Sequence, residues 1–217
     1  MPVAGVTAAL VPVKALASSK SRLLATGGRD AVRRLSLAMM ADVIEALREV
    51  PGLAPIAVVT PDPEVASAAE REGARALLRD DPGLNASIEA AGAELAPEPG
   101  AGLLVVLGDV AALSPADVRR LLEAGREAGV VLAPSRDGGT SALLRIPRDA
   151  IPARFGPGSA KRHREEALRA GVGYRELTLP SLAIDVDVAE DARAILACPT
   201  LGRRTRAALT AWKGFEA

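Results

Sequence analysis

Apolar residues come in short blocks along this chain. Aliphatic runs lie at 6–13, 56–60, 74–78, 103–107, 130–133, 141–146, 174–177 and 182–186, separated by longer stretches with apolar residues three or four positions apart. Runs this short, bounded by Gly, Pro or Asp, predict strands buried on both faces of a sheet, and the longer periodicity predicts helices. The first helix is capped by Asp30, carries Leu35, Met39, Val43, Ile44 and Leu47 on one side, and stops at Pro51. Others are predicted from Pro63 to Glu72, from the Leu84-Asn85-Ala86-Ser87 turn to Leu95, and from a Ser114 cap to near Gly129. Further helices follow Ser159, run from Val188 to Leu196, and begin again at Arg203. Strands alternating with helices predict an α/β fold: a three-layer, Rossmann-like, mostly parallel sheet forming one domain over residues 1–217.

The run at 103–109, Leu-Leu-Val-Val-Leu-Gly-Asp, reads as the central strand, with Asp109 just past its carboxyl end. A charge there faces the crevice where open α/β sheets bind ligands. A second apolar-to-acidic transition, Leu182-Ala183-Ile184-Asp185-Val186-Asp187, puts two carboxylates at strand spacing, on one face. After the first strand comes a loop rich in cations and hydroxyls, with Lys14, Ser18, Ser19, Lys20, Ser21 and Arg22, a composition suited to phosphate. Each signal has a plainer alternative. Asp109 could cap the following segment, Asp185 and Asp187 could be a solvated edge, and the lysines could point to water. Taken together, three carboxylates beside a cationic loop suit a magnesium ion that keeps positions open for substrate phosphates.

Composition narrows the classes. Aromatic residues make up only 2% of the chain, which leaves little to stack on bases, and Lys plus Arg equals Asp plus Glu at 27 each. Neither a nucleic-acid platform nor a charged tail follows from that. The single Cys198 excludes an intrachain disulfide and is expected to be a buried free thiol, and no Cys/His cluster suggests zinc. No apolar stretch is long enough to span a bilayer and the start lacks a signal-peptide layout, so a soluble cytoplasmic protein with no membrane partner is expected. Neither a P-loop nor a Gly-x-Gly-x-x-Gly motif is present. Lys161, Arg162, His163 and Arg164 crowd a helix start, against its dipole, and suggest a bound anion; His163, the only histidine, reads as an ordinary basic helix residue. The segment from Arg203 to Trp212 reads as a last helix or, with Phe215, a homodimer contact.

A site with metal and cations but no histidine relay favours a nucleophile that is already ionised. A phosphate monoester is one, since its second pKa is about 6. The chemistry this predicts is nucleotidyl transfer, in which an acceptor phosphate attacks the α-phosphorus of a nucleoside triphosphate and pyrophosphate leaves.

Val11-Pro12-Val13-Lys14, Lys20-Ser21-Arg22-Leu23, Leu84-Asn85-Ala86-Ser87-Ile88, Gly108-Asp109, Asp137-Gly138-Gly139-Thr140-Ser141, Phe155-Gly156-Pro157-Gly158-Ser159 and Asp185-Val186-Asp187 resemble, in order, the guanylyltransferases of deazaflavin coenzyme (F-420) biosynthesis. The resemblance implies a nucleotidyltransferase fold of the glycosyltransferase-A type, with GTP and a small phosphorylated carboxylic acid as partners. That acid is phosphoenolpyruvate, 2-phospho-L-lactate or 3-phosphoglycerate; similarity to the bacterial branch favours the first. It implies Asp109, Asp185 and Asp187 as Mg²⁺ ligands, Lys14, Lys20 and Arg22 on the triphosphate, and Asn85 near the nucleotide. Thr140, Ser141, Gly156 and Ser159 would line the acceptor site. Family members usually have proline two residues after the central aspartate, where this chain has Ala111, so a looser loop is expected, which leaves reduced activity open. A non-catalytic nucleotide-binding domain and a cytidylyl- or molybdopterin-type transferase are the competing readings.

Overall fold

A computed structural model describes residues 7–18, 21–183, 186 and 188–212. Seven strands, β1 (Thr7–Pro12), β2 (Leu53–Thr60), β3 (Arg75–Leu78), β4 (Gly102–Val106), β5 (Val130–Pro134), β6 (Thr140–Arg145) and β7 (Tyr174–Glu176), form one sheet in the order β3-β2-β1-β4-β6-β5-β7. All neighbouring pairs are parallel except those made by β6, which runs antiparallel to β4 and β5. The sheet is therefore mostly parallel, as the blocks of apolar residues predict.

Alternation along the strands separates two buried faces. On one, Ala9, Val11, Leu104 and Val106 pack with Ile44 and Leu47 of α1 (Ser21–Arg48), Val65 of α2 (Pro63–Arg71) and Leu121 of α4 (Pro115–Gly125). On the other, Leu10, Leu103, Val105 and Leu143 pack with Ile88 and Leu95 of α3 (Leu84–Leu95) and Ala167 of α5 (Ser159–Ala170). A third cluster joins Leu35 and Met39 of α1 to Ile195 of α6 (Ala189–Leu196), Leu209 of α7 (Arg203–Thr210) and Trp212. Helix starts follow the caps read in the sequence: Asp62 accepts the Glu64 N–H at 2.9 Å, and Ser114 accepts that of Asp117 at 3.2 Å.

Several expectations change. Helix α1 begins at Ser21, ahead of Asp30, and is broken at Gly28, where φ is +73°; only glycine adopts such a φ readily, so two helices meet there. The expected strand at 182–186 is absent from the described residues: Pro180–Leu182 is a 3-10 turn. Pro180 presets φ and has no N–H for a ladder, while the Leu182 N–H bonds back to the Leu179 carbonyl at 2.9 Å. Trp212 is buried inside its own chain, so it offers no exposed surface to a second copy, and Phe215 lies outside the described residues. Cys198 is free but only half-buried. Among the described residues no helix is long and apolar enough to cross a membrane.

Helix α7 is fastened by a carboxylate from another helix. Buried Asp42 accepts the N–H groups of Arg204 at 3.2 Å and Thr205 at 2.7 Å, capping α7 from α1. Asp42→Ala is expected to cost about 1–2 kcal/mol, the usual worth of a cap. A lowered urea midpoint, with hydrogen-exchange protection lost first in α7, would bear this out; unchanged protection there would refute it.

Candidate active site

The strand order reverses between β1 and β4, so the chain leaves their carboxyl ends in opposite directions and opens a crevice. Pro12, Val13 and Lys14 form one wall, with Val13 tied by its N–H to the Val59 carbonyl at 3.0 Å. The 3-10 turn at Leu16–Ser18 is tied by the Leu16 N–H to Asp62 at 2.9 Å. Leu107, Gly108 and Asp109 form the facing wall. Gly108 is required by that approach: a Cβ there would stand 2.7 Å from Val13 Cγ2 and 3.4 Å from the Pro12 carbonyl.

The far end of the cleft is built from Ser135, Asp137, Gly139 and Thr140 at the β5–β6 turn and from Phe155, Gly156 and Ser159 before and at the start of α5. Asp137 accepts the Ser135 hydroxyl and the Gly139 N–H, and these donors hold its carboxyl below the usual range. Gly156 (φ +120°) and Gly158 (φ +67°) supply the left-handed geometry that turns the chain into α5. Ser159 donates to Thr140 Oγ1 at 2.9 Å, and both side chains are buried.

Polar posts behind the cleft set the position of the 151–156 segment. Asn85 forms a two-point bond with the Phe155 backbone, its Oδ1 accepting at 2.8 Å and its Nδ2 donating at 3.2 Å. Glu89 Oε1 accepts from the Ala153 N–H at 2.6 Å and from Arg145 at 2.8 Å, while Arg145 also donates to the Ile151 carbonyl at 2.8 Å. His163 is fully buried, with Nε2 accepting the Arg154 N–H at 2.8 Å, Nδ1 lying 3.1 Å from Thr140 Oγ1, and its ring edge-on to Phe155.

The structure thus brings Lys14, Asp109, Thr140, Gly156 and Ser159 to one cleft. Ser141 lies beside Thr140 but outside that lining; its hydroxyl is buried with no partner among the described residues, and its carbonyl accepts the Leu107 N–H at 3.0 Å. Lys20, Asp185, Asp187 and the side chain of Arg22 fall outside what is described. The anion expected at the basic start of α5 is not needed to explain those cations. Arg162 donates to the Arg154 and Pro157 carbonyls, Arg164 to Glu176, and Lys161 lies 3.8 Å from Glu165. Sequence reading missed the structural weight of His163, although its i,i+4 spacing from Ser159 puts the two on one helix face. It also passed over Asp137, which reads as a turn residue.

A second cleft shares Lys14 and Leu84 with the first and continues past Thr60, Arg79, Asp80, Asp81 and Ser87. Together they could hold an extended ligand, with Lys14 midway.

The model of the guanylyl transferase CofC-like family matches residues 7–208. The chain belongs to that family. A phosphoenolpyruvate guanylyltransferase of Rubrobacter xylanophilus is 45% identical over 188 residues, covering 84% of this chain and 90% of its own length. Another from Sphaerobacter thermophilus is 39% identical over 186 residues, with 85% and 90% covered. A structure from Desulfovibrio desulfuricans, provisionally assigned as a nucleotide-diphospho-sugar transferase, superposes with a TM-score of 0.77 at 17% identity, covering 95% of this chain and 94% of its own. That likeness shows a shared α/β fold. In this CofC-like guanylyltransferase a divalent ion has a chemically suitable place. Among the described residues no three His, Cys, Asp or Glu side chains cluster to hold one. Asp109 nevertheless reaches the cleft, and a hard cation needs only one or two carboxylates when substrate phosphates complete its shell.

His163 makes the site sensitive to acid. Burial, then the charges of Arg145 and Arg162, pushes its pKa from 6.5 down to about 4, against a weaker opposing pull from Glu166. The unfolded chain therefore binds this proton more readily, so the contribution is complete above pH 6.5 and lost as pH falls through about 4. Up to about 3 kcal/mol is at stake. Urea unfolding from pH 7 to 4 should show a steeper loss for the native protein than for His163→Gln; parallel slopes would contradict the assignment.

Proposed function

We propose that the protein condenses GTP with phosphoenolpyruvate, giving enolpyruvoyl-2-diphospho-5'-guanosine and pyrophosphate in F-420 biosynthesis. The observation that carries this reading is the layout of one cleft: Lys14 and Asp109 at one end, the Thr140–Ser159 hydroxyl pair and the start of α5 at the other. Relatives named for this activity support the choice of substrates.

GTP would lie along the two joined clefts, with its base beyond Lys14 near Asp80 and Asp81 and its triphosphate passing Lys14 toward Asp109. Lys20 and Arg22 would add positive charge to the β- and γ-phosphates, and Asn85 would act near the nucleotide chiefly by fixing the loop at Phe155. Asp109, with Asp185 and Asp187, would hold Mg²⁺, which when bound neutralises phosphate charge. The acceptor would sit with its anionic groups against Thr140, Gly156 and Ser159, with Ser141 behind them, where hydroxyls and the N–H groups opening α5 favour negative charge. Its phosphate oxygen, already ionised near neutrality, forms a bond to the α-phosphorus as the α–β bridging P–O bond breaks and pyrophosphate departs. No protein base is required; positioning and charge neutralisation carry the rate. Such a reaction would take place in the cytoplasm.

Purified protein given GTP, Mg²⁺ and phosphoenolpyruvate should release pyrophosphate and form a product of the corresponding mass. Release only with 2-phospho-L-lactate or 3-phosphoglycerate would reassign the acceptor, and turnover of CTP would reassign the base. Silence with every acceptor would overturn the reading in favour of a binding domain. Asp109→Asn should lower turnover at least about 100-fold, as removal of one preorganised electrostatic group does; a near-native rate would remove Asp109 from the metal shell. Ser159→Ala should raise the KM of the acceptor more than that of GTP, and the opposite ranking would mean the two subsites are exchanged.

A further inference from the structure

Three buried groups in the acceptor end form a chain whose polarity is fixed from the backbone. The Arg154 N–H donates to His163 Nε2 at 2.8 Å, so that nitrogen bears no proton. The neutral ring then carries its proton on Nδ1 and donates it to Thr140 Oγ1, 3.1 Å away. Thr140 and Ser159 share one hydrogen bond at 2.9 Å and own two hydroxyl protons. With Nδ1 unable to accept, one of those protons is left over whichever hydroxyl donates to the other. Both residues line the cleft.

We propose that His163 is a positioning residue that orders this chain, so that the Thr140–Ser159 pair presents a net O–H donor to an anionic oxygen of the acceptor. The opposite tautomer would take up the spare proton through Nδ1 and turn the pair from a donor into a neutral contact. The anchor is well placed for the task, because His163 is 0% exposed, which keeps competing water from reordering its ring. Arg154, which supplies the fixing N–H, is itself held by its side chain on Glu166 at 2.9 Å and by its carbonyl on Arg162 at 2.9 Å. The inference rests on the acceptor site proposed above and adds what sets its polarity.

His163 is the chain's only histidine, so its ring nitrogens can be read directly in protein made with 15N-labelled histidine. At pH 7 the expected spectrum shows a protonated Nδ1 and a bare Nε2. Added inorganic phosphate or phosphoenolpyruvate should shift the Nδ1 signal, and GTP alone should not. A protonated Nε2, or an Nδ1 signal unmoved by both anions, would overturn the proposal even in a protein that turns nothing over. In the pyrophosphate assay two variants separate positioning from simple loop support. His163→Gln can still accept the Arg154 N–H but no longer donates at the δ position, whereas His163→Asn keeps a δ donor and loses the loop contact. The Gln variant should raise the phosphoenolpyruvate KM about tenfold or more, the range of one hydrogen bond to a charged group, with GTP's KM within about twofold. The Asn variant should lose less. A Gln variant equal to or better than Asn, or a joint rise of both KM values, would assign His163 to loop support alone. Absence of turnover in the native protein would instead fall on the guanylyltransferase reading, leaving the ring spectrum to decide this one.

Discussion

The close parallel pairing of β1 with β4 is the constraint on which the rest depends. Strands leave this pair toward opposite edges of the sheet, which opens a crevice at their carboxyl ends that Ser36 and Met39 of α1 also line. Its width is set by the Gly108 backbone against Val13 and Pro12, an approach that a single methyl group would spoil. The apolar core supplies the rigidity behind it. Leu10, Leu103, Leu104 and Val105 are completely buried, and a close-packed interior of this kind transmits strain rather than absorbing it. Lys14 and Asp109 therefore border one cleft because their strands are paired.

The acceptor end is built on a different principle. Segment 151–156 has no regular secondary structure, so its backbone groups must find partners elsewhere. They find them in side chains: Asn85 and Glu89 from α3, Arg145 from β6, and His163 from α5. Arg145 is the costly member, a guanidinium with a side chain 1% exposed against a Glu89 that is 40% exposed. Its Nε and Nη2 have no partner among the described residues. A buried ion pair of this kind is weak evidence for stability, since desolvation offsets much of its attraction. What it contributes is a defined geometry for the loop that ends at Gly156.

How much of this the chain disclosed in advance depended on how local the deciding forces were. Helix α3 was legible to the residue because a turn at Gly83 and an apolar stripe act within one segment. Ser114-Pro115 and Asp62-Pro63 likewise announce their helices through capping bonds two or three residues long. The cleft residues Lys14, Asp109 and Thr140 could be placed because they follow or begin apolar strands. His163 could not, since its role comes from contacts with Thr140 and Arg154, far along the chain or across a turn, while four consecutive basic residues hid it. The segment after Leu179 misled because an apolar run suits a strand until Pro180 removes a donor and the Leu182 N–H turns back on Leu179. Helix α1 was truncated for the opposite reason, its first two turns masked by a glycine pair at the break.

Ala111 shows why a departure from a family's pattern has to be weighed in its surroundings. Proline there would restrict the unfolded chain and so favour the folded loop by about 0.4–1 kcal/mol. The loop is nevertheless held from the outside. The Gly202 N–H donates to the Ala111 carbonyl at 2.9 Å and the Thr200 hydroxyl to that of Ala112 at 2.8 Å, while within the loop Val110 bonds to the Leu107 carbonyl at 3.3 Å. At about 0.5–1.5 kcal/mol for each such bond, two contacts from the C-terminal segment hold the loop at least as strongly as proline would, and they do so whichever residue stands at position 111. Proline would also keep its carbonyl, so the Gly202 contact does not distinguish the two residues; the difference lies in the unfolded state. The turn between α6 and α7 that supplies these contacts is itself fixed by Asp42 on α1 and by burial of Leu209 and Trp212. The turn leading into α7 thus buttresses the loop that follows Asp109.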